Sequence, residues 1–168
     1  SLLGLAVGVL LLPVVLIGNL FWNRGPLFYS QTRVGKNGIP FEIYKFRTMR
    51  TDAEKNGAVM STAGDARITP FGKIMRKTRM DEFPQFFNIL KGDMAFIGPR
   101  PERPVFVAEL AAIMPFYETR HVVKPGLTGW AQVNYSYGES IDESLIKLQY
   151  DLYYIKHRSI FMDVNILI

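Results

Sequence analysis

The chain opens on its longest unbroken apolar run. From Leu2 to Phe21 (LLGLAVGVLLLPVVLIGNLF) no residue carries a charge, and twenty residues of α-helix match a hydrocarbon core of about 30 Å. The pattern predicts a membrane-embedded helix. Pro13 in its middle lacks an amide donor, and its ring clashes with the Val9 carbonyl, so a kink is expected there. Two geometries accommodate the kink. A bent helix could span the bilayer, with Trp22 at the interface and Arg24 on the inner side, or the helix could break at Pro13 and return to the leaflet it entered. The residues by themselves favour the span. A cleavable leader is not expected, because no basic segment precedes the run and no small-x-small site ends it. The chain starts at Ser1 rather than Met, so further residues upstream are expected.

Past this run the periodicity becomes that of strands. Phe41, Ile43 and Lys45 alternate with Glu42, Tyr44 and Phe46, and Asn37-Gly38 is a pair that accepts positive φ, so residues 26–49 read as a β-hairpin. The hairpin would deliver Lys45, Arg47 and Arg50 at its end, with Lys45 and Arg47 on one face. That face could grip two phosphate oxygens, and a solvated basic strand end explains the same residues equally well.

Helical spacing follows. Thr69-Pro70 is a helix start with Thr as cap, leading to Met80 and placing Arg76 and Arg79 on one face. Asp81 is a candidate N-cap for a second helix carrying Glu82, Phe83, Phe86, Phe87 and Leu90, which Lys91-Gly92-Asp93 ends. Met94 to Ile97 reads as a short apolar strand. Gly98-Pro99-Arg100-Pro101-Glu102-Arg103-Pro104 is a stiff loop, whose prolines present Arg100 and Arg103 with little ordering entropy left to lose. Pro125 to Trp130 is a second turn-rich segment, and Trp130, Tyr135 and Tyr137 could stack on a base or settle among headgroups. Ser140-Ile141-Asp142-Glu143 forms a capping box for a helix with Leu145, Leu148, Leu152 and Ile155 on its core face and Lys147, Tyr153, Tyr154 and Lys156 opposite. Ser159 to Ile168 reads as an interface-seeking helix.

Composition narrows what chemistry this frame can carry. With 48% apolar and 21% charged residues the profile is that of a folded domain. There is no cysteine, and only His121 and His157 are available as imidazoles, which excludes thiolate metal sites and leaves little room for zinc or a Ser-His triad. Residues 24–103 carry 15 lysines and arginines against 8 acids, whereas residues 104–168 carry 5 against 7. The surplus of positive charge attracts polyanions generally. Nucleic acid is not the expected one, since that reading leaves the apolar run unexplained.

Within the basic region, Arg76 to Arg103 (RKTRMDEFPQFFNILKGDMAFIGPRPER) sets the adjacent acids Asp81 and Glu82 among Arg76, Lys77, Arg79, Arg100 and Arg103. A carboxylate attacks phosphorus only when the substrate's own charge is neutralised, and these guanidinium and ammonium groups are suited to that. A capped, solvated helix start is the plain alternative.

Taken in order, FEIYKFRTM, DARITPFGKIMRKTRMDEFPQFFNILKGDMAFIGPRPE, RHVVKPGLTGWAQV and LQYDLYYIKHRS resemble the bacterial sugar transferases, also called monotopic phosphoglycosyl transferases, from about Leu10 to Ile168. The resemblance implies an α+β fold, mainly helical, compact and membrane-associated, with a small β-hairpin and C-terminal interfacial helices. It implies a re-entrant membrane helix over 1–23, broken at Pro13, and a catalytic domain over 24–168 at the cytoplasmic face of the bacterial inner membrane. Family members commonly place Ser before that proline, where this chain has Leu11-Leu12. The implied reaction passes a sugar 1-phosphate from a UDP-sugar to undecaprenyl phosphate and releases UMP, as the first step of exopolysaccharide or other surface-glycan assembly.

Residue by residue, the resemblance makes Asp81 the nucleophile, forming an aspartyl-phosphosugar intermediate, and Glu82 its partner in proton movement from the incoming polyprenyl phosphate or in supporting the metal and the nucleophile. Mg²⁺ is implied as cofactor, held by Asp81 and the diphosphate. Lys45, Arg47, Arg76, Arg79, Arg100 and Arg103 are implied phosphate and nucleotide contacts. Inner-membrane lipid and a second copy of the chain as homodimer are further expected partners. Gln132-Val133-Asn134-Tyr135-Ser136-Tyr137 departs from the Gly-Arg-Asn of small members, and LQYDLYYIKHRS looks like the long, exopolysaccharide-associated ones, which carry extra transmembrane helices and a regulatory domain upstream. A catalytically silent membrane-surface scaffold that binds polyprenyl phosphate or assembly partners is the alternative function, and the intact Asp81-Glu82 pair speaks against it.

Overall fold

The structure is a computed structural model that describes residues 2–55, 57, 59, 62, 64–135 and 141–168. The capping Ser140 and Tyr137 expected above lie outside the described residues. The chain forms two compact units, residues 1–30 with 43–90, and residues 31–42 with 91–168. The class is α+β, as expected, with a small hairpin and one long apolar N-terminal helix.

In the first unit, α1 (Leu2–Trp22) continues through Pro13 as a single helical element, long and apolar enough to cross a membrane. Gly4, Leu5, Gly8, Leu11, Leu12, Val15, Gly18 and Asn19 are its only buried or half-buried residues, at the three-and-four spacing of one helix face. Glycines bring the backbone close: a Cβ on Gly4 would lie 2.6 Å from the Phe86 ring, and one on Gly18 would overlap the Phe71 ring. Val15, Phe46 and Met75 form the core of this unit, with Leu12, Leu27, Phe71, Met80 and Phe83 packed against them.

The hairpin pairs β1 (Phe28–Val34) with β2 (Pro40–Phe46), its open end in the first unit and its tip in the second. Its turn residues Asn37 and Gly38 take φ of 58° and 76°, the left-handed conformation expected of Asn-Gly. Thr69 caps α2 (Pro70–Lys77), its hydroxyl accepting from the Gly72 amide at 3.0 Å.

Two expectations in the next segment fail. α2 ends at Lys77, and Arg79 turns left-handed at φ 58°, so Arg76 and Arg79 do not share a helical face. Asp81 is not a helix cap either. It lies in a 3₁₀ turn over Met80–Glu82, and α3 (Gln85–Lys91) begins only after Pro84. The physical reason is the left-handed residue, which breaks the helical path and redirects the chain before a second helix can start.

The second unit holds β3 (Ala95–Ile97), α4 (Pro104–Ile113), a 3₁₀ segment at Tyr117–Val122, β4 (Gly126–Thr128), α5 (Trp130–Asn134), α6 (Ile141–His157) and α7 (Ile160–Leu167). β3 and β4 pair in parallel, Ala95 with Gly126 and Ile97 with Thr128. The turn-rich Pro125–Trp130 segment therefore contains a strand. Gly126 permits it, since a Cβ there would collide with the Gly98 backbone.

One cluster of this unit gathers Val34, Val107, Leu110, Met114, Tyr117 and Leu148, and another gathers Tyr154, Met162 and Ile166 with Trp130 and Ile155 against them. Tyr154 is thus core, its hydroxyl donating to Asp163 at 2.9 Å, whereas Leu145, expected in the core, is 41% exposed. Ser159 caps α7, which buries Met162 and Ile166 and exposes Ile160, Phe161, Val164 and Leu167.

Candidate active site

The Asp81-Glu82 pair is buried, at 7% and 8% exposure, although both side chains are acids on a short turn. The turn owes its place to its two neighbours in sequence. Before it, Thr78 donates from its hydroxyl to the Ile74 carbonyl at 3.0 Å, closing α2. After it, Asn88 on α3 is fully buried and accepts from the Tyr44 amide at 3.1 Å, while the Phe87 ring meets Tyr44 edge-on at 5.8 Å. These contacts hold β2 against α3 and bring Lys45 to the acids.

Lys45 Nζ lies 3.1 Å from Glu82 Oε1, a half-buried ion pair. Asp81 is treated differently. Its Oδ1 is buried with no hydrogen-bond partner, and burial pushes its carboxyl above the usual range, opposed chiefly by the Lys45 charge, while neighbouring Glu82 adds to the rise and Arg76 pulls it down. Two adjacent acids thus occupy distinct environments, one ion-paired and one open. Arg76 is anchored by its Nε donating to the Thr48 hydroxyl at 2.9 Å, and Arg79 is exposed.

Arg47 differs from Lys45 in its surroundings. The residue is 6% exposed, and its guanidinium donates to the Pro26 carbonyl at 2.7 Å, the Met49 carbonyl at 2.7 Å, Asn23 Oδ1 at 3.0 Å, Asn19 Oδ1 at 3.2 Å and the Asn23 carbonyl. Five bonds occupy a side chain that has five N–H donors. Arg47 therefore ties the chain just after α1, at Asn23 and Pro26, to the Asn19 side chain of α1 and to Met49.

Arg100 and Arg103 belong to the second unit, half-buried on the proline-rich loop, with the Arg103 guanidinium over the Phe106 ring at 5.6 Å. The first unit by itself therefore unites Asp81, Glu82 and Lys45, with Arg76 close enough to act on Asp81 electrostatically.

Asn23, Thr48, Gln85 and Asn88 were not singled out from sequence. Gln85 and Asn88 did leave a signal: two amides at i, i+3 in an otherwise apolar helix, which become its buried face. Gln85 Nε2 joins Asp81 Oδ1 among the buried atoms without a partner.

No cluster of three or more acids and histidines is present among the described residues. The unpartnered Asp81 oxygen is nonetheless of the kind that would hold a magnesium ion, which commonly takes one or two carboxylates and completes its shell with phosphate and water. A buried open carboxylate, an ion-paired neighbour and nearby cations make up a site suited to chemistry on a phosphate ester.

The chain belongs to the bacterial sugar transferase family, whose model matches residues 1–168. It is 50% identical over 144 residues to the UDP-N-acetylgalactosamine-undecaprenyl-phosphate N-acetylgalactosaminephosphotransferase of Aeromonas hydrophila, covering 86% of this chain and 34% of that protein. It is 38% identical over 161 residues to the UDP-glucose:undecaprenyl-phosphate glucose-1-phosphate transferase of Xanthomonas campestris, covering 94% and 33%. With the undecaprenyl-phosphate glucose phosphotransferase of Komagataeibacter xylinus it shares 41% over 163 residues, covering 94% and 31%. The chain spans about a third of the length of these relatives.

Proposed function

We propose that this chain transfers a sugar 1-phosphate from a UDP-sugar to undecaprenyl phosphate, releasing UMP, through a covalent intermediate on Asp81. The observation that carries the reading is the asymmetry of the buried pair, Glu82 ion-paired to Lys45 and Asp81 with an open oxygen. An Asp81 oxygen attacks the β-phosphorus of the donor, the bond from that phosphorus to the bridging oxygen breaks, and UMP leaves with the electron pair. An oxygen of the lipid phosphate then attacks the same phosphorus and expels the Asp81 carboxylate. Glu82, oriented by Lys45, receives the proton of the incoming lipid phosphate when that group arrives protonated.

Lys45, Arg76, Arg79, Arg100 and Arg103 neutralise the diphosphate and the departing UMP. Arg47 supports the site from behind, since its donors are engaged at the end of α1. Mg²⁺, when bound at Asp81, offsets the charge of the diphosphate that the carboxylate must approach. The relatives named for N-acetylgalactosamine and for glucose support a UDP-hexose or UDP-N-acetylhexosamine as donor; surface-glycan assembly is the proposed use of the product.

The acceptor is a membrane lipid, and α1 is the element that meets it, lying within the cytoplasmic leaflet of the inner membrane as a re-entrant, monotopic helix. Its packing supports this reading. Gly4 and Gly8 rest on Phe86 and Phe83, while Gly18 rests on Phe71, so both sides of Pro13 are held by the same unit. A helix projecting across the bilayer would leave one half free of that unit. Leu2, Leu3, Val9, Leu10, Ile17 and Leu20 face outward and would contact acyl chains.

Intact-protein mass spectrometry after incubation with Mg²⁺ and a panel of UDP-sugars, without lipid acceptor, tests the chemistry. One sugar-phosphate added to the wild type, and none to Asp81→Asn, is the expected result. A wild type that turns over donor and lipid together yet carries no adduct would sink the covalent route.

A further inference from the structure

Four consecutive carbonyls of the proline-rich loop are tied down within the second unit. The Pro99 carbonyl accepts from the Gly126 amide at 2.9 Å and the Glu102 carbonyl from the Val34 amide at 2.9 Å. Between them, the Pro101 carbonyl accepts from Arg33 Nη1 at 3.1 Å, and the Arg100 carbonyl accepts from Arg120 Nη2 at 2.9 Å. The outer two ties are backbone pairings. The inner two, on the residue whose side chain matters and on the proline after it, depend on arginine side chains.

Arg120 is built for this task. It is 7% exposed on the 3₁₀ segment, and Nε and Nη2 donate to Asp151 Oδ2 of α6 at 3.1 Å and 2.7 Å. Nη1 donates to the Tyr117 hydroxyl at 2.8 Å, and the guanidinium lies 5.2 Å from that ring. The plane of the fork is therefore fixed by three hydrogen bonds to two residues before it reaches the loop. A buried ion pair is a poor source of stability, because desolvation cancels much of its attraction and apolar replacements are often neutral. The specific contact with the Arg100 carbonyl is what an apolar pair would not supply.

We infer that Arg120, oriented by Asp151 and Tyr117, is a positioning residue that sets the Arg100 side chain for the donor phosphates. The inference rests on the proposed role of Arg100 as a donor contact. Arg100 is flanked by prolines, each with its φ locked by the ring, so among these three residues the φ left soft is that of Arg100. Its carbonyl is the handle on that rotation, and Arg120 holds it.

Arg120→Lys keeps a cation beside Asp151 but lacks the fork that reaches both Tyr117 and the Arg100 carbonyl. In steady-state assays with the UDP-sugar identified by the adduct, Mg²⁺ and undecaprenyl phosphate, its KM for donor should rise about tenfold with kcat changed less than about twofold. The same change made in Arg100→Ala should add little, because both act through one side chain. Multiplying effects in the double variant, or an unchanged KM in the single one, overturns the inference. Tyr117→Phe, a gentler loss, should show a smaller shift of the same kind.

Hydrogen exchange supplies a readout independent of turnover. The Gly126 and Val34 amides, bonded to the loop on either side, should exchange faster in Arg120→Lys while the α6 amides keep their protection. Unchanged exchange at Gly126 and Val34 also overturns the inference. A wild type that makes no adduct and no lipid product removes the transferase reading, and the tether is then judged by exchange alone.

Discussion

Lys45 Nζ lies 3.1 Å from Glu82 Oε1, yet the Asp81 carboxyl next in sequence keeps a buried oxygen without any partner. One lysine thus satisfies one acid by contact and reaches the other only through its field, where it is the strongest influence lowering the Asp81 pKa against the rise caused by burial.

Removing that field should therefore show in the pH dependence. In Lys45→Met the Asp81 carboxyl loses its main stabilising charge, so its pKa moves further up and the acid limb of kcat/KM moves to higher pH. Activity at neutral pH should fall and recover in part as pH is raised. A pH–rate profile with an unmoved acid limb would contradict the coupling of Lys45 to Asp81.

The same burial has a cost in stability. A carboxyl whose folded pKa lies above its unfolded value favours folding below the unfolded pKa, and this contribution is lost as pH rises through the folded one. At neutral pH the ionised Asp81 opposes folding, and Asp81→Asn removes the penalty. The variant should lose transfer activity and gain on the order of 1 kcal/mol, about 2–4 °C in Tm. Thermal melts at neutral pH and at pH 4 check the sign, since the gain should shrink at the lower pH.

Arg47 should behave as a structural residue. Arg47→Met removes the donor of the buried Asn23 carbonyl and the ties to the Pro26 and Met49 carbonyls, at about 2–4 kcal/mol. A large drop in Tm with little change in the donor KM of the protein that remains folded is expected. An unaltered Tm with a raised KM would return Arg47 to the phosphate contacts.

The packed face of α1 predicts a contrast between two of its positions. Gly18→Leu forces a side chain into the Phe71 ring and should destabilise the detergent-purified protein by about 1–3 kcal/mol. Leu10→Ala, on the face that is 77% exposed at that residue, should leave the melt almost unchanged. Equal effects at both sites would mean that the helix does not pack by this stripe.

The parts legible in the sequence were those that depend on local chemistry. Thr69-Pro70 started a helix and Asn37-Gly38 turned a hairpin, because capping and positive φ are decided within a few residues. The acid pair and its cations stood out for the same reason, as charges adjacent in the chain. The face of α1 was not legible, since a run apolar on every side carries no amphipathic signal. The parallel pairing of Ala95 with Gly126 was hidden as well, because thirty-one residues separate the partners and each strand is three residues long.

By itself, the order of residues determined that this chain opens on an unbroken apolar run, that it gathers cations around two adjacent acids, and which family's motifs it carries. Only the tertiary structure decided which acid is paired and which stays open, and that Arg47 supports α1 while Arg120 holds the Arg100 carbonyl. The physical reason is that a charged side chain reads the same in sequence whether it faces a ligand or a buried carbonyl. Which of these it satisfies depends on the donors and acceptors that distant segments bring within about 3 Å of it.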